Sequence, residues 1–91
     1  VTATATVRRR VAVRDPQGLH ARPCAAVAKT MRKFECAATL GAGGRTADAR
    51  SVLDLLGLGL VTSTEVEITA TGRDAPACVD ALATLLLMPP G

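Results

Sequence analysis

A single histidine, His20, stands where a run of turn residues gives way to a helical pattern, and Arg22 follows two positions later. Asp15-Pro16-Gln17-Gly18 supplies the turn. Pro23 falls in the first turn of the helix, where its missing N–H costs nothing. The first N–H groups of a helix have no intrahelical partner, and the helix dipole adds partial positive charge there. An anionic group held at His20 would therefore meet the N–H groups of Ala21, Arg22 and Cys24. Arg22 can add a charge-assisted bond to the same group. The dipole contributes about 0.3–1 kcal/mol when exposed and up to about 2 kcal/mol when partly buried, which suits reversible capture. The same field favours the neutral ring, whose lone pair a nucleophile needs. A lone histidine at a helix start is more often a cap or a satisfied surface residue, so residue chemistry alone does not assign His20 a chemical role.

Several other site classes are excluded. There is no second histidine, no Ser/His/Asp set, no paired carboxylates and no G-x-x-x-x-G-K-[ST] phosphate loop. Cys24, Cys36 and Cys78 are odd in number and widely spaced, with no C-x-x-C among them. They read as thiols in a reducing compartment, with no disulfide framework, no metal and no cofactor expected. The net charge is +3 and Arg8-Arg9-Arg10 is the only basic run. Nucleic-acid binding would call for a broader basic face and, for single strands, aromatic stacking platforms, yet Phe34 is the only aromatic residue. The arginines read instead as one charged end of a strand. The longest apolar stretch, Leu85–Met88, cannot span a bilayer, and Val1–Val7 has no continuous apolar region of the secretory kind. A cytoplasmic protein without membrane insertion is expected.

The elements that must position His20 follow from changes in hydrophobic period. Val7–Arg14 predicts a strand with Val7, Val11 and Val13 on one side; Arg9 breaks that face and is expected near a frayed end. From Ala21 to about Lys33 the pattern is helical, with Cys24, Val27, Ala28 and Met31 on one face. Phe34–Leu40 and Arg45–Ala49 form the arms of a hairpin, joined through Gly41-Ala42-Gly43-Gly44. Ser51-Val52-Leu53-Asp54 reads as an N-cap with an acidic partner, opening a brief helix stopped by Gly57 and Gly59. Glu65–Thr71 alternates cleanly: Val66, Ile68 and Ala70 face in. A last amphipathic helix uses Ala75, Cys78, Val79, Leu82, Leu85 and Leu86, and Pro89-Pro90 ends it. The 91 residues suffice for one domain, 1–91, and not for two. The order β-α-β-β-α-β-α predicts an α+β two-layer domain, a mainly antiparallel sheet with helices on one face.

Gly18-Leu19-His20-Ala21-Arg22-Pro23 resembles the active-site signature of the HPr phosphocarrier family. The likeness runs from about Val7 to Leu87, and Arg50-Ser51-Val52-Leu53 is similar to the segment that carries the family's regulatory serine. The resemblance implies an open-faced sandwich of four antiparallel strands and three helices. It implies a covalent phosphoryl carrier of the bacterial phosphotransferase system, not a turnover enzyme. His20 would take a phosphoryl group on Nδ1 from enzyme I, charged by phosphoenolpyruvate, and pass it to a IIA-type protein. Arg22 would steady the group, and Ser51 could be a target of an HPr kinase/phosphorylase. The docking face would place Val52 and Leu53 at its apolar centre, with Lys29 and Arg32 as a basic rim; Val52 and Leu53 could equally be ordinary helix packing. Monomer is the state the family implies. Two departures stand out: Cys24 replaces a small apolar residue, and Asp54 stands where sugar-branch carriers often have a basic or neutral one. The Ser51–Leu56 and Glu65–Gly72 stretches look closer to the nitrogen-branch variant. The rival readings are a regulatory domain of this fold that transfers nothing, a small nucleic-acid-binding domain, and a piece of a longer multidomain phosphotransferase.

Overall fold

The alternating segment Glu65–Gly72 ends up in the interior of the sheet because both of its edges find partners. In the computed structural model, which describes residues 5–87, the strands are β1 (Thr6–Ala12), β2 (Cys36–Ala42), β3 (Arg45–Asp48) and β4 (Glu65–Gly72). The helices are α1 (Ala21–Met31), α2 (Val52–Gly57) and α3 (Ala75–Leu87). The sheet runs β1-β4-β2-β3, every pair antiparallel. Val66, Ile68 and Ala70 are buried, as their alternation predicts. Val11, Ala38, Leu40 and Ala47 join them on the same face, because the registers pair Val11 with Val66 and Leu40 with both Ile68 and Ala47. Helix faces carrying Cys24, Val27 and Met31 from α1, Leu55 from α2, and Cys78, Val79, Leu82 and Leu86 from α3 close over that layer. The expected α+β open-faced architecture is the one observed.

Several details differ from expectation. The first strand stops at Ala12, although Val13 stays buried and donates its N–H to Thr64 at 3.0 Å. Arg9 lies in mid-strand, opposite Ile68, and not at a frayed end. Its guanidinium leaves the apolar layer and meets Asp80 of α3 at 2.7 Å, a partner far along the chain that alternation could not reveal. Arg8 and Arg10 point to the opposite, helix-free face, where Arg10 lies 3.6 Å from Glu67. Gly41 and Ala42 belong to β2, so the hairpin turns on Gly43 and Gly44 alone, both with positive φ (58° and 78°). Helix α1 ends at Met31, short of Lys33. On α1 Ala28 is half-buried, and on α3 Ala83 is buried while Leu85 is only half-buried. The Val1–Thr4 part of the N-terminal run, Met88 and the Pro89-Pro90 helix stop lie outside the described residues. Among the described residues no helix is long and apolar enough to cross a membrane.

The three thiols fall into two classes. Cys24 and Cys78 have no exposed surface; burial pushes their pKa values up to about 11 and about 12, with the neighbouring Cys36 thiol adding to the effect at Cys78. Cys36, at the start of β2, is half-buried. Brief iodoacetamide treatment at pH 8 should therefore alkylate one thiol, Cys36, in the folded protein and all three after denaturation. Peptide mass mapping that found Cys24 modified in the native state would contradict the packing described.

Candidate functional site

The approach to His20 is fixed by backbone bonds before any side chain contributes. After β1, Arg14 donates its N–H to Leu86 at the end of α3 (2.9 Å). The Asp15-Pro16-Gln17-Gly18 run closes as a turn, with the Gly18 N–H donated to the Asp15 carbonyl at 2.9 Å. Asp15 also accepts the Gln17 N–H on Oδ1 at 2.9 Å, an Asx turn built on the first. Gly18 adopts φ 72°, and a Cβ there would lie 2.3 Å from the Leu60 carbonyl oxygen and 2.8 Å from Val61 Cα. The absence of a side chain lets the segment press against the α2–β4 loop. Leu19 then donates its N–H to the Leu60 carbonyl at 2.9 Å and buries its side chain.

His20 is the N-cap of α1 in extended conformation (φ −93°, ψ −171°), but its side chain makes no cap hydrogen bond. The ring turns back instead: Nε2 lies 2.9 Å from Asp15 Oδ2. The histidine side chain is 29% exposed and the aspartate 13%, so the pair is partly shielded yet open to a partner. The Gln17 N–H and then the His20 ring hold the Asp15 carboxyl below its ordinary pKa, with the charge of Arg22 a smaller contributor. Asp15, Pro16, Gln17, His20 and Arg22 line a shallow cleft of about 110 Å³. His20 and Arg22, chosen from sequence, are thus brought to one cleft.

The expected set of backbone donors needs one correction. Cys24 donates its N–H to the His20 carbonyl at 3.2 Å, closing the first turn of α1, and its side chain is buried with Sγ 3.7 Å from the Leu19 carbonyl. Ala21 and Arg22 remain as the two N–H groups at the helix start without a backbone acceptor among the described residues. The structure also adds Asp15 to the site. In the sequence it is legible only as a turn former; its second oxygen reaches His20 because the turn folds it back.

The other expected residues are spread more widely. Ser51 caps α2, accepting the Asp54 N–H on Oγ at 3.1 Å. Its own N–H goes to the Asp48 carbonyl, so the reciprocal half of a capping box is not made by Asp54. Leu53 is 82% exposed, whereas Val52 is half-buried and packs against the core, which splits the expected apolar pair. Lys29 and Arg32 are exposed at the far end of α1, roughly 12 Å or more along the axis from Ala21. They do not border the cleft. Among the described residues no group of His, Cys, Asp or Glu is placed to hold a metal ion.

The family model described as "PTS HPr component phosphorylation site" matches residues 7–87. A phosphocarrier protein HPr from Buchnera aphidicola is 35% identical over 79 residues, 87% of this chain and 93% of that protein. A multiphosphoryl transfer protein from Xanthomonas campestris is 42% identical over 71 residues; these cover 78% of this chain and 8% of that much longer relative. The crystal structure of a phosphocarrier protein HPr from Bacillus anthracis superposes with a TM-score of 0.85 at 32% identity, covering 90% of this chain and 98% of that one.

Stability checks the role given to Gly18. Gly18→Ala should lower the unfolding free energy by at least about 2 kcal/mol, since it combines an unfavourable left-handed backbone with overpacking against Leu60 and Val61. A urea midpoint unchanged from the wild type would show that the close approach is not a constraint.

Proposed function

The chain belongs to the HPr family of phosphocarrier proteins, and we propose that His20 is the residue on which it carries the phosphoryl group. A phosphocarrier role in the phosphotransferase system, as opposed to turnover catalysis, comes with that membership. The observation that carries the assignment of His20 is its place in the cleft: a part-exposed imidazole beside Arg22 and at the start of α1. On this reading phospho-enzyme I presents its group to His20. The phosphorus–donor bond breaks as the N–P bond at Nδ1 forms; in the onward step the N–P bond breaks, its electron pair returning to Nδ1, as phosphorus bonds to the IIA-type acceptor. The Ala21 and Arg22 N–H groups and the Arg22 guanidinium meet the phosphoryl oxygens. No bond is made to a metal or cofactor. The cleft is shallow, which suits a group that must be handed from one protein to another.

The partner face on this reading is α1 with α2, which pack against each other. Leu53 is its exposed apolar centre; the half-buried Val52 packs against the core beside it in the chain, and Lys29 and Arg32 form a distal basic rim. Residues 1–91 act as one cytoplasmic, monomeric carrier domain, alone or within a longer relay protein. Ser51 lies on the same face, at the start of α2. Its phosphorylation by an HPr kinase would replace the cap bond to Asp54 and set a dianion near the Asp54 carboxylate. That charge would weaken enzyme I docking. A purified HPr kinase that left Ser51 unmodified would remove this branch for that kinase.

Intact mass spectrometry tests the carrier reading. Incubation with enzyme I and phosphoenolpyruvate should add one acid-labile phosphoryl group to the wild type and none to His20→Ala. Arg22→Ala should still be modified but at least tenfold more slowly. A wild type unmodified by both sugar-branch and nitrogen-branch enzyme I would leave a regulatory domain of the same fold. Loss of the Ser51 cap is a separate matter of stability: Ser51→Ala should cost about 1 kcal/mol in chemical denaturation without abolishing His20 modification.

A further inference from the structure

We propose that Asp15 is a positioning residue for the transfer step: its bond to Nε2 fixes the His20 tautomer and leaves Nδ1 as the nucleophilic atom. The inference rests on the carrier reading for its functional consequence, but the tautomer itself follows from the contact. A carboxylate only accepts hydrogen bonds. With Oδ2 at 2.9 Å from Nε2, the hydrogen must sit on Nε2. A neutral imidazole carries one ring hydrogen, so Nδ1 then has a free lone pair. Asp15 is itself held ionised by the Gln17 N–H on its other oxygen. The two oxygens therefore have separate tasks: Oδ1 secures the turn and Oδ2 orients the ring.

The same bond has a consequence after transfer. When Nδ1 takes the phosphoryl group it uses its lone pair for the N–P bond, while the hydrogen stays on Nε2. The ring then bears a positive charge, and the Asp15 carboxylate faces it. A ring that keeps this charge is a good leaving group: on transfer to the acceptor the N–P bond pair returns to Nδ1 and the neutral Nε2–H ring is regenerated. The carboxylate thus favours uptake, and by keeping the hydrogen on Nε2 it keeps the ring able to leave as a neutral imidazole. Arg22, the other charged group lining the cleft, meets the phosphoryl oxygens and offsets the repulsion between the incoming anion and Asp15.

Two substitutions separate this role from simple support of the turn. In Asp15→Asn the amide oxygen can still accept the Gln17 N–H, but the amide nitrogen donates to Nε2 and drives the ring hydrogen to Nδ1. In Asp15→Ala both bonds are lost and neither tautomer is imposed. Long-range nitrogen–hydrogen NMR correlations on ring-labelled protein, at a pH where the ring is neutral, should show Nε2–H in the wild type. They should show Nδ1–H in Asp15→Asn and a mixture in Asp15→Ala. Phosphoryl uptake from enzyme I should fall in the order wild type, Asp15→Ala, Asp15→Asn, with the last slowed tenfold or more. A turn-forming role alone predicts the reverse order for the two variants, because Asp15→Asn retains the Oδ1 bond, and that order would overturn the proposal. So would Nδ1–H in the wild type. Wild-type protein that shows Nε2–H yet accepts no phosphoryl group would defeat the carrier reading while upholding the tautomer assignment.

Discussion

The close approach of Gly18 to the Leu60–Val61 backbone governs the rest of the site. It requires a residue without a Cβ and with positive φ, and glycine supplies both. Once Gly18 is seated, the Leu19 N–H reaches the Leu60 carbonyl and the Leu19 side chain fills the core beneath. The chain then leaves that contact in extended conformation at His20 and enters α1 at Ala21. His20 is thereby held at a junction: its backbone belongs to the helix cap, and its side chain belongs to the turn. The two halves of the site come from opposite sides of one peptide segment. The α2–β4 loop, which contributes no group to the cleft, sets their relative position.

The fold serves this junction by anchoring both of its ends. β1 is an edge strand, paired only with β4, so its exit is secured elsewhere: by Val13 against Thr64 and Ser63, and by Arg14 against Leu86. On the far side Val27 and Met31 sink α1 into the core with no exposed surface. The apolar layer that receives them is made almost wholly of Ala, Val, Leu, Ile, Met and Cys. Side chains this small demand close approach of helix to sheet, and the two fully buried thiols act there as compact apolar groups. Cys24 exemplifies the trade. It stands one turn from His20, yet its N–H closes the helix and its sulfur faces inward, so it is structural despite its place in the motif.

Much of this was legible in the sequence. Alternation in Glu65–Gly72, the helical spacing of Cys24, Val27 and Met31, and the serine at the start of α2 are local signals, and each specified its element correctly. The placement of His20 at a helix start was equally local. The features that local signals do not carry depend on contacts between segments distant in the chain. Arg9 looked like a flaw in an apolar face because its partner, Asp80, lies on the last helix. Gly41 and Ala42 looked like turn residues because composition cannot say which of several small residues pairs with a neighbouring strand; the register with Thr46 and Arg45 decides it. Val52 and Leu53 are adjacent and alike, but only the packing of α2 shows which one faces out.

Asp15 is the instructive case, because its signal was local and still incomplete. An aspartate followed by proline and, soon after, glycine explains itself as a turn, and that explanation is correct for one oxygen. A carboxylate has a second oxygen, and where that oxygen points depends on the turn it helps to make. Here the turn is pinned at Gly18, which brings the ring of His20 within hydrogen-bond distance of the unused oxygen. Structure and chemistry are then not separable at this residue. The bond that shapes the loop ionises the group, and the ionised group sets which nitrogen of the histidine is free. A carrier histidine needs one nitrogen to react and the other to be held, and an acidic residue that does both tasks of support from within the same turn is a short way to meet that need.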